Sequence, residues 1–291
     1  MNFNVITPHN EPELLAAVSE YQDNFRFGAG FTDLILEIKK QDPKGLTVIN
    51  LAQLKDDHFT MLVQDENEIN IGSMVTVATV ENDEFIRKNL PVLHQAASSL
   101  ASAQIRQVAT IGGNICTASP SGDVACALVA LNAICEILDT SGKTREIPIM
   151  EFFTGPRKTA MQKDELLRRV IVPLNKDKKE IHSGFIKVGT RRSMECSVVS
   201  LSYHIRYDSE GLISHAGIAI GAAAPTIRHT TNACDFLKGK NIHAFNSAFK
   251  EGFSEKVMEY ASPISDIRAS AWYRKEVLGN ISRGMIEGIG V

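Results

Sequence analysis

Apolar residues recur at helical spacing over residues 11–21, where Leu14, Leu15, Val18 and Tyr21 share one face, so the chain opens with an amphipathic helix. Phe25-Arg26-Phe27 reads as a short strand running into a glycine turn, and a helix or loop leads from there to an apolar strand at 47–51. Residues 69–71 and 73–77 read as extended on either side of Gly72. Helices are predicted around Glu84, Phe85 and Ile86 and over 91–102. A glycine-rich loop at Gly112-Gly113 precedes a helix at 124–133, and 135–139 and 144–147 flank Ser141-Gly142 as a hairpin. Residues 170–173 close this half.

Beyond the polar stretch 175–180 the pattern changes. Strands are predicted at 184–188, 198–207 and 214–220, with a turn at 208–211, followed by helices at 231–237, 244–260 and 269–286. Strands followed by helices make an α+β domain. The 291 residues suggest about two domains, with the polar stretch 175–180 as the linker between them.

Composition narrows the function. With 31 basic and 34 acidic residues the net charge is −3, which gives no footprint for nucleic acid or an acidic membrane surface. The basic residues at 176–179 and Arg191-Arg192 read as solvated loops. No basic and apolar leader precedes residue 10, and the longest apolar stretch, 124–138, carries Asn132 and Glu136 and is too short to span a bilayer. A soluble cytoplasmic protein is therefore expected. Cys116, Cys126, Cys135, Cys196 and Cys234 are odd in number and widely spaced, which fits free thiols and no zinc or iron–sulfur motif. The eight histidines show no metal-ligand spacing, no serine-hydrolase elbow occurs, and no catalytic acid or base is assigned. Trp272 reads as a packing residue.

Two glycine-bearing segments remain. Phe27-Gly28-Ala29-Gly30-Phe31-Thr32-Asp33-Leu34 follows a strand and could offer backbone N–H groups to an anion, though an ordinary tight turn fits as well. It is not a Rossmann fingerprint, because Asp33 stands at the third glycine, and no Walker lysine loop occurs. The second runs from Ala101 through Thr110-Ile111-Gly112-Gly113-Asn114 to Asp123 and could cradle an anion from the other side. Asp123 beside an apolar helix reads either as its N-cap or as a carboxylate for ribose hydroxyls. A dinucleotide is plausible from spacing alone, without its identity.

Taken in order, these segments resemble the flavoprotein (medium) subunits of the xanthine dehydrogenase, carbon monoxide dehydrogenase and hydroxybenzoyl-CoA reductase family. The first turn is similar to that family's Ala-Gly-Gly-Thr-Asp-Leu loop, with Phe31 in place of a glycine. Residues 105–115 are similar to its Ile-Arg-Asn-x-Ala-Thr-Ile-Gly-Gly-Asn-Ile segment, with Gln107 in place of Asn. The resemblance continues through Asp164-Glu165-Leu166-Leu167, Phe185-Ile186-Lys187, Ala224-Pro225-Thr226 and the stretch from Asp266 to Arg274. Glu195-Cys196-Ser197 departs from the family's Asp-Ile-Ala.

The resemblance implies an FAD domain of the vanillyl-alcohol-oxidase/PCMH type over 1–176, made of two α+β subdomains, followed by a smaller α+β domain over 177–291. By matched position, Phe27 to Leu34 would bind the FAD pyrophosphate and Thr110 to Asn114 would form the opposite wall. Asp123 would hold the adenosine or ribityl side, Leu100 and Leu167 would pack on the cofactor, and Lys187 would reach it from the second domain. With no histidine at the flavin-linking position after the first loop, FAD would be noncovalent. It also implies separate small and large partner subunits, carrying [2Fe–2S] clusters and molybdopterin, in a dimer of heterotrimers. Electrons would pass from a hydroxylated substrate, a purine such as xanthine, through the clusters to FAD and then to NAD. The rival expectations are a self-standing flavin oxidase of the same fold and a scaffold subunit that has lost FAD.

Overall fold

A computed structural model describes residues 3–21, 24–174, 180–191 and 194–289. It contains three principal sheets. A parallel three-stranded sheet takes the order Asn4–Ile6, Thr47–Asn50, Phe25–Gly28, with the helices Glu11–Tyr21 and Leu34–Gln41 in its connections. An antiparallel five-stranded sheet takes the order Leu62–Gln64, Glu68–Gly72, Leu166–Pro173, Ile134–Leu138, Thr144–Pro148. The third, also antiparallel, runs Glu180–Val188, Val199–Tyr207, Ile213–Gly221, Arg228–His229. The fold is mixed α+β, as expected. Most of the polar stretch at 175–180 that suggested a linker lies outside the described residues, as does Arg192.

The third sheet has two unlike faces, because strand side chains alternate. Val199, Leu201, Ile205, Ile213, Ile218 and Ile220 bury against the helices Thr231–Leu237, Ser247–Met258 and Ala271–Glu287. The opposite face carries small or polar residues: Ser200, Ser202 and His204 on one strand, Gly217 and Gly221 on the next. That face receives the helix Asp123–Ala130, all eight residues of which are buried. Gly217 is required there, since a β-carbon would lie 1.9 Å from the Ala130 carbonyl oxygen. The helix is thus enclosed by the five-stranded sheet's core on one side and the third sheet on the other. Arg274, 3% exposed, ties the last helix to this sheet by donating to the carbonyls of Val198 and Ala222 and to Asp266.

Three local expectations are corrected. The strand ends at Gly72, and Val77–Asn82 is a helix whose N-cap, Thr76, accepts from Thr79 N–H. The Gly112-Gly113 loop is the helix Ile111–Cys116, capped by Thr110. The long helix expected at 244–260 begins only at Ser247, where Asn246 caps it. Among the described residues no helix is long and apolar enough to cross a membrane.

Candidate functional site

The strand Phe25–Gly28 delivers the chain into a turn that starts the helix Leu34–Gln41. Asp33, at the N-cap, makes no side-chain capping bond, so the first donors of this helix are left open. Among the described residues, the backbone N–H groups of Gly30, Phe31, Thr32 and Asp33 find no acceptor within the chain. Phe31 adopts φ 59°, the left-handed region that glycine favours. Its ring folds back over Gly28, where an added β-carbon would lie 2.3 Å from it, and packs beside Ile38, Leu46 and Val48. The missing glycine is therefore accommodated by turning the side chain back onto the small sheet.

Gly30 meets the second segment directly. A β-carbon there would lie 1.9 Å from the Val108 carbonyl oxygen and 2.7 Å from its carbon. Residues 99–114 gather Leu100 and the predicted positions Thr110 to Asn114 into one strip. Leu100 and Val108 are partly or largely open, Val108 at 49% exposure. The glycine pair plays a different part from the one expected. Ile111 N–H donates to Val75 O, Gly112 N–H to Ser73 O, Gly113 N–H to Thr110 Oγ1 and Asn114 N–H to Thr110 O. These donors are spent internally, and Gly112 serves close packing on Ser73, whose β-carbon would lie 2.6 Å from one on the glycine. Asn114 Oδ1 accepts from Ala125 N–H and so fixes the neighbouring helix.

Asp123 and Lys187, predicted separately, are brought together. Lys187 Nζ lies 2.6 Å from Asp123 Oδ2 and also donates to Ser99 O at 3.1 Å, while Ser197 Oγ donates to Asp123 Oδ1 at 2.8 Å. Burial pushes the Asp123 carboxyl above the usual carboxylate range, against the pull of Lys187 and Ser197. Asp123 is not the N-cap; Gly122 holds that position, and Asp123 is the first helical residue. Leu167 lies apart from the strip's surface, 4% exposed within the core that also holds Ile111 and Ile115. Sequence reasoning gave no role to Arg106 and Glu81, which form a two-bond ion pair of 2.7 and 3.0 Å. Arg106 stood inside the segment already singled out; Glu81 carries no local signal.

The arrangement offers a row of open N–H groups beside a partly apolar strip, a combination suited to a ligand that is anionic in one part and flat and apolar in another. Among the described residues no cluster of three or more His, Cys, Asp or Glu could hold a metal ion.

Comparison with known proteins accords with this chemistry. Residues 1–175 match the FAD binding domain in molybdopterin dehydrogenase, and residues 185–288 the CO dehydrogenase flavoprotein C-terminal domain. The xanthine dehydrogenase FAD-binding subunit of Escherichia coli O157:H7 is 30% identical over 286 residues, 98% of this chain and 96% of its own. The nicotinate dehydrogenase FAD-subunit of Eubacterium barkeri is 32% identical over 244 residues, 82% of this chain and 80% of its own. In fold, the chain is similar to carbon monoxide dehydrogenase from Hydrogenophaga pseudoflava, with a TM-score of 0.89 at 22% identity over 98% of this chain and 96% of that one. Quinoline 2-oxidoreductase from Pseudomonas putida 86 gives 0.87 at 22% identity, over 99% and 96%. The chain belongs to the FAD-binding medium subunits of the molybdenum hydroxylase family, which includes xanthine and carbon monoxide dehydrogenases, and is an oxidoreductase subunit of such a complex.

Proposed function

We propose that this subunit holds FAD noncovalently between the 27–34 turn and the 99–114 strip and relays electrons from an iron–sulfur partner to NAD⁺. The observation that carries the reading is the unspent run of N–H groups from Gly30 to Asp33 at an uncapped helix start. Two linked phosphates need several fixed donors, and a helix start adds a favourable dipole. Phe27, Gly28 and Ala29 shape the approach to that run, and Leu34 begins the helix behind it. Phe31 keeps its N–H on the turn while its ring packs elsewhere, which disfavours a scaffold that has lost FAD.

Leu100 supplies apolar surface for the ring system, and Thr110, Ile111, Gly112, Gly113 and Asn114 brace the strip as a short helix. When bound, FAD supplies the chemistry no side chain here can, accepting electrons singly and releasing them in pairs. The chain's own share is to position it and to keep water from its apolar face. The absence of histidine from residues 29–41 supports noncovalent attachment.

The partners in this reading are a small iron–sulfur subunit and a large molybdopterin subunit, assembled as a cytoplasmic dimer of heterotrimers. The chain divides at 176/177 into the FAD domain and the C-terminal domain. Xanthine or another purine is the proposed substrate of the complex, supported by the relative from Escherichia coli that spans nearly the whole chain. A similar identity to a nicotinate dehydrogenase subunit supports placing substrate choice outside this chain. The test is an absorbance spectrum of the purified chain, before and after denaturation and with NADH added anaerobically. Flavin that is released on denaturation and bleached by NADH supports the relay. Flavin that stays attached contradicts noncovalent binding, and flavin that NADH leaves oxidised contradicts the NAD assignment.

A further inference from the structure

His204, His215 and His229 stand on three successive strands of the third sheet, on the face that receives the helix Asp123–Ala130. Cross-strand pairing puts them there: His204 lies opposite Gly217, His215 opposite Arg206 and His229 opposite Ala219. The rings of His204 and His215 are 6.5 Å apart between centroids. His204 is 6% exposed, and the other two are half-buried. The charged groups they face within the second half are Arg206 and Lys238, both cations, and Asp235 beside His229. The elements packed on this face bring little to offset added charge. The helix Asp123–Ala130 carries only Asp123, already engaged by Lys187 and Ser197, and the helix Pro91–Ser99 carries only His94. On the strand Glu180–Val188, Glu180 and His182 pair with Tyr207 and Ile205 and so point to the opposite face.

The junction between the halves is fastened by a bond chain that needs His204 neutral. Ser183 Oγ accepts from Val92 N–H at 3.2 Å, which leaves its one O–H for His204 Nδ1, 3.1 Å away. That nitrogen must be an unprotonated acceptor, with the ring's proton on Nε2. Two further N–H groups cross the same junction, Phe185 to Gln95 Oε1 at 2.9 Å and Ala222 to Pro120 O at 2.6 Å. Protonating His204 turns Nδ1 into a donor, takes the acceptor from the Ser183 O–H and sets a new cation beside Arg206. Burial is the main cause that lowers the pKa of all three histidines, to about 3 for His204.

We propose that His204, His215 and His229 form a pH-sensitive latch between the two halves of the chain: neutral, they let the third sheet close on the helices of the first half, and protonated, they loosen it. The latch stands apart from the FAD reading. Docking buries the imidazoles and so disfavours the proton. It is therefore at full strength above the free-histidine value of about 6.5 and weakens as pH falls below it. Each half keeps its own apolar core on opening, the five-stranded sheet's core in one and the helix-covered face of the third sheet in the other.

Hydrogen exchange of the full chain at pH 7.5 and 5.5 tests the latch, read at the junction N–H groups of Val92, Phe185 and Ala222 as protection corrected for the intrinsic pH dependence of exchange. Protection there should fall by about tenfold for each histidine that stays neutral when docked, while the N–H groups within 134–148 and 247–258 keep theirs. The variant His215→Gln with His229→Gln spares the buried His204 and should lose clearly less, about tenfold at most. Junction protection that does not change with pH overturns the latch. So does an equal fall at 134–148 and 247–258, which makes the effect global unfolding, or a double variant that falls as far as wild type. Imidazole titration of wild type by NMR needs no variant. His215 and His229 should protonate below about pH 6.5, in step with the loss of protection, and titration at or above that value overturns the latch too.

Discussion

Replacing Gly30 by alanine strikes the contact between the two halves of the proposed FAD groove. The new β-carbon would lie 1.9 Å from the Val108 carbonyl oxygen and 3.0 Å from Ala109 Cα, and the clashing atoms are backbone, so no side chain can rotate away. Contacts below 3.0 Å are not sustained, so the turn and the strip must part by about 1 Å. Overpacking of this kind costs about 1–3 kcal/mol of stability. The larger effect falls on FAD. Losing the alignment of one or two N–H donors to a charged phosphate costs about 1.5–3 kcal/mol, or about ten- to a hundredfold in dissociation constant. The assay is titration of the apo chain with FAD by quenching of flavin fluorescence, alongside thermal unfolding without FAD to separate affinity from stability. If Gly30→Ala binds FAD within about twofold of wild type, the contact does not set the pyrophosphate site and the reasoning fails.

Gly284 sits exposed inside the last helix with nothing within 4 Å of an added β-carbon, so Gly284→Ala should stabilise the chain by about 0.5–1 kcal/mol and raise Tm without altering FAD affinity. Arg274→Met should cost about 3 kcal/mol or more in urea unfolding, because the Val198 and Ala222 carbonyls lose their donor and Asp266 its counter-ion. His204 is held neutral by burial, reinforced by His215 and Arg206, with its pKa lowered to about 3. Its folded pKa lies below the unfolded value of about 6.5, so its stabilising share is full above that pH. That share is lost at up to about 1.4 kcal/mol per pH unit as pH falls from 6.5 toward 3. His204→Gln should flatten that slope in unfolding measured at pH 7.5, 6 and 5, and equal slopes in the two proteins would contradict the assignment.

Where periodicity is strong, the pattern along the chain matches the fold closely: the helix at 231–237 and the hairpin around Ser141-Gly142 stand where alternation placed them. Errors cluster where a local signal is ambiguous. Val75 and Val77 are apolar enough for a strand, but Thr76 caps a helix there, and both valines are buried in the core. Gly112-Gly113 reads as a loop because glycine disfavours helices. Thr110 supplies the cap, and contact with Ser73 supplies a reason for glycine that lies far off in sequence. The same limit applies to the site. The turn at 27–34 stood out in the sequence as a candidate for an anion site, but its contact with Val108 did not. Asp123 was singled out by its place beside an apolar helix and Lys187 through the family resemblance, yet their pairing spans 64 residues and leaves no mark in either segment.

The central claim is that FAD lies with its pyrophosphate on the Gly30–Asp33 donors and its ring system against the 99–114 strip. A crystal structure of the FAD-loaded chain tests it most directly. The account predicts phosphate oxygens within hydrogen-bonding distance of at least two of the four N–H groups, about 2.7–3.2 Å, and Leu100 against the ring. Phosphates bound elsewhere, with those N–H groups facing solvent, would contradict it.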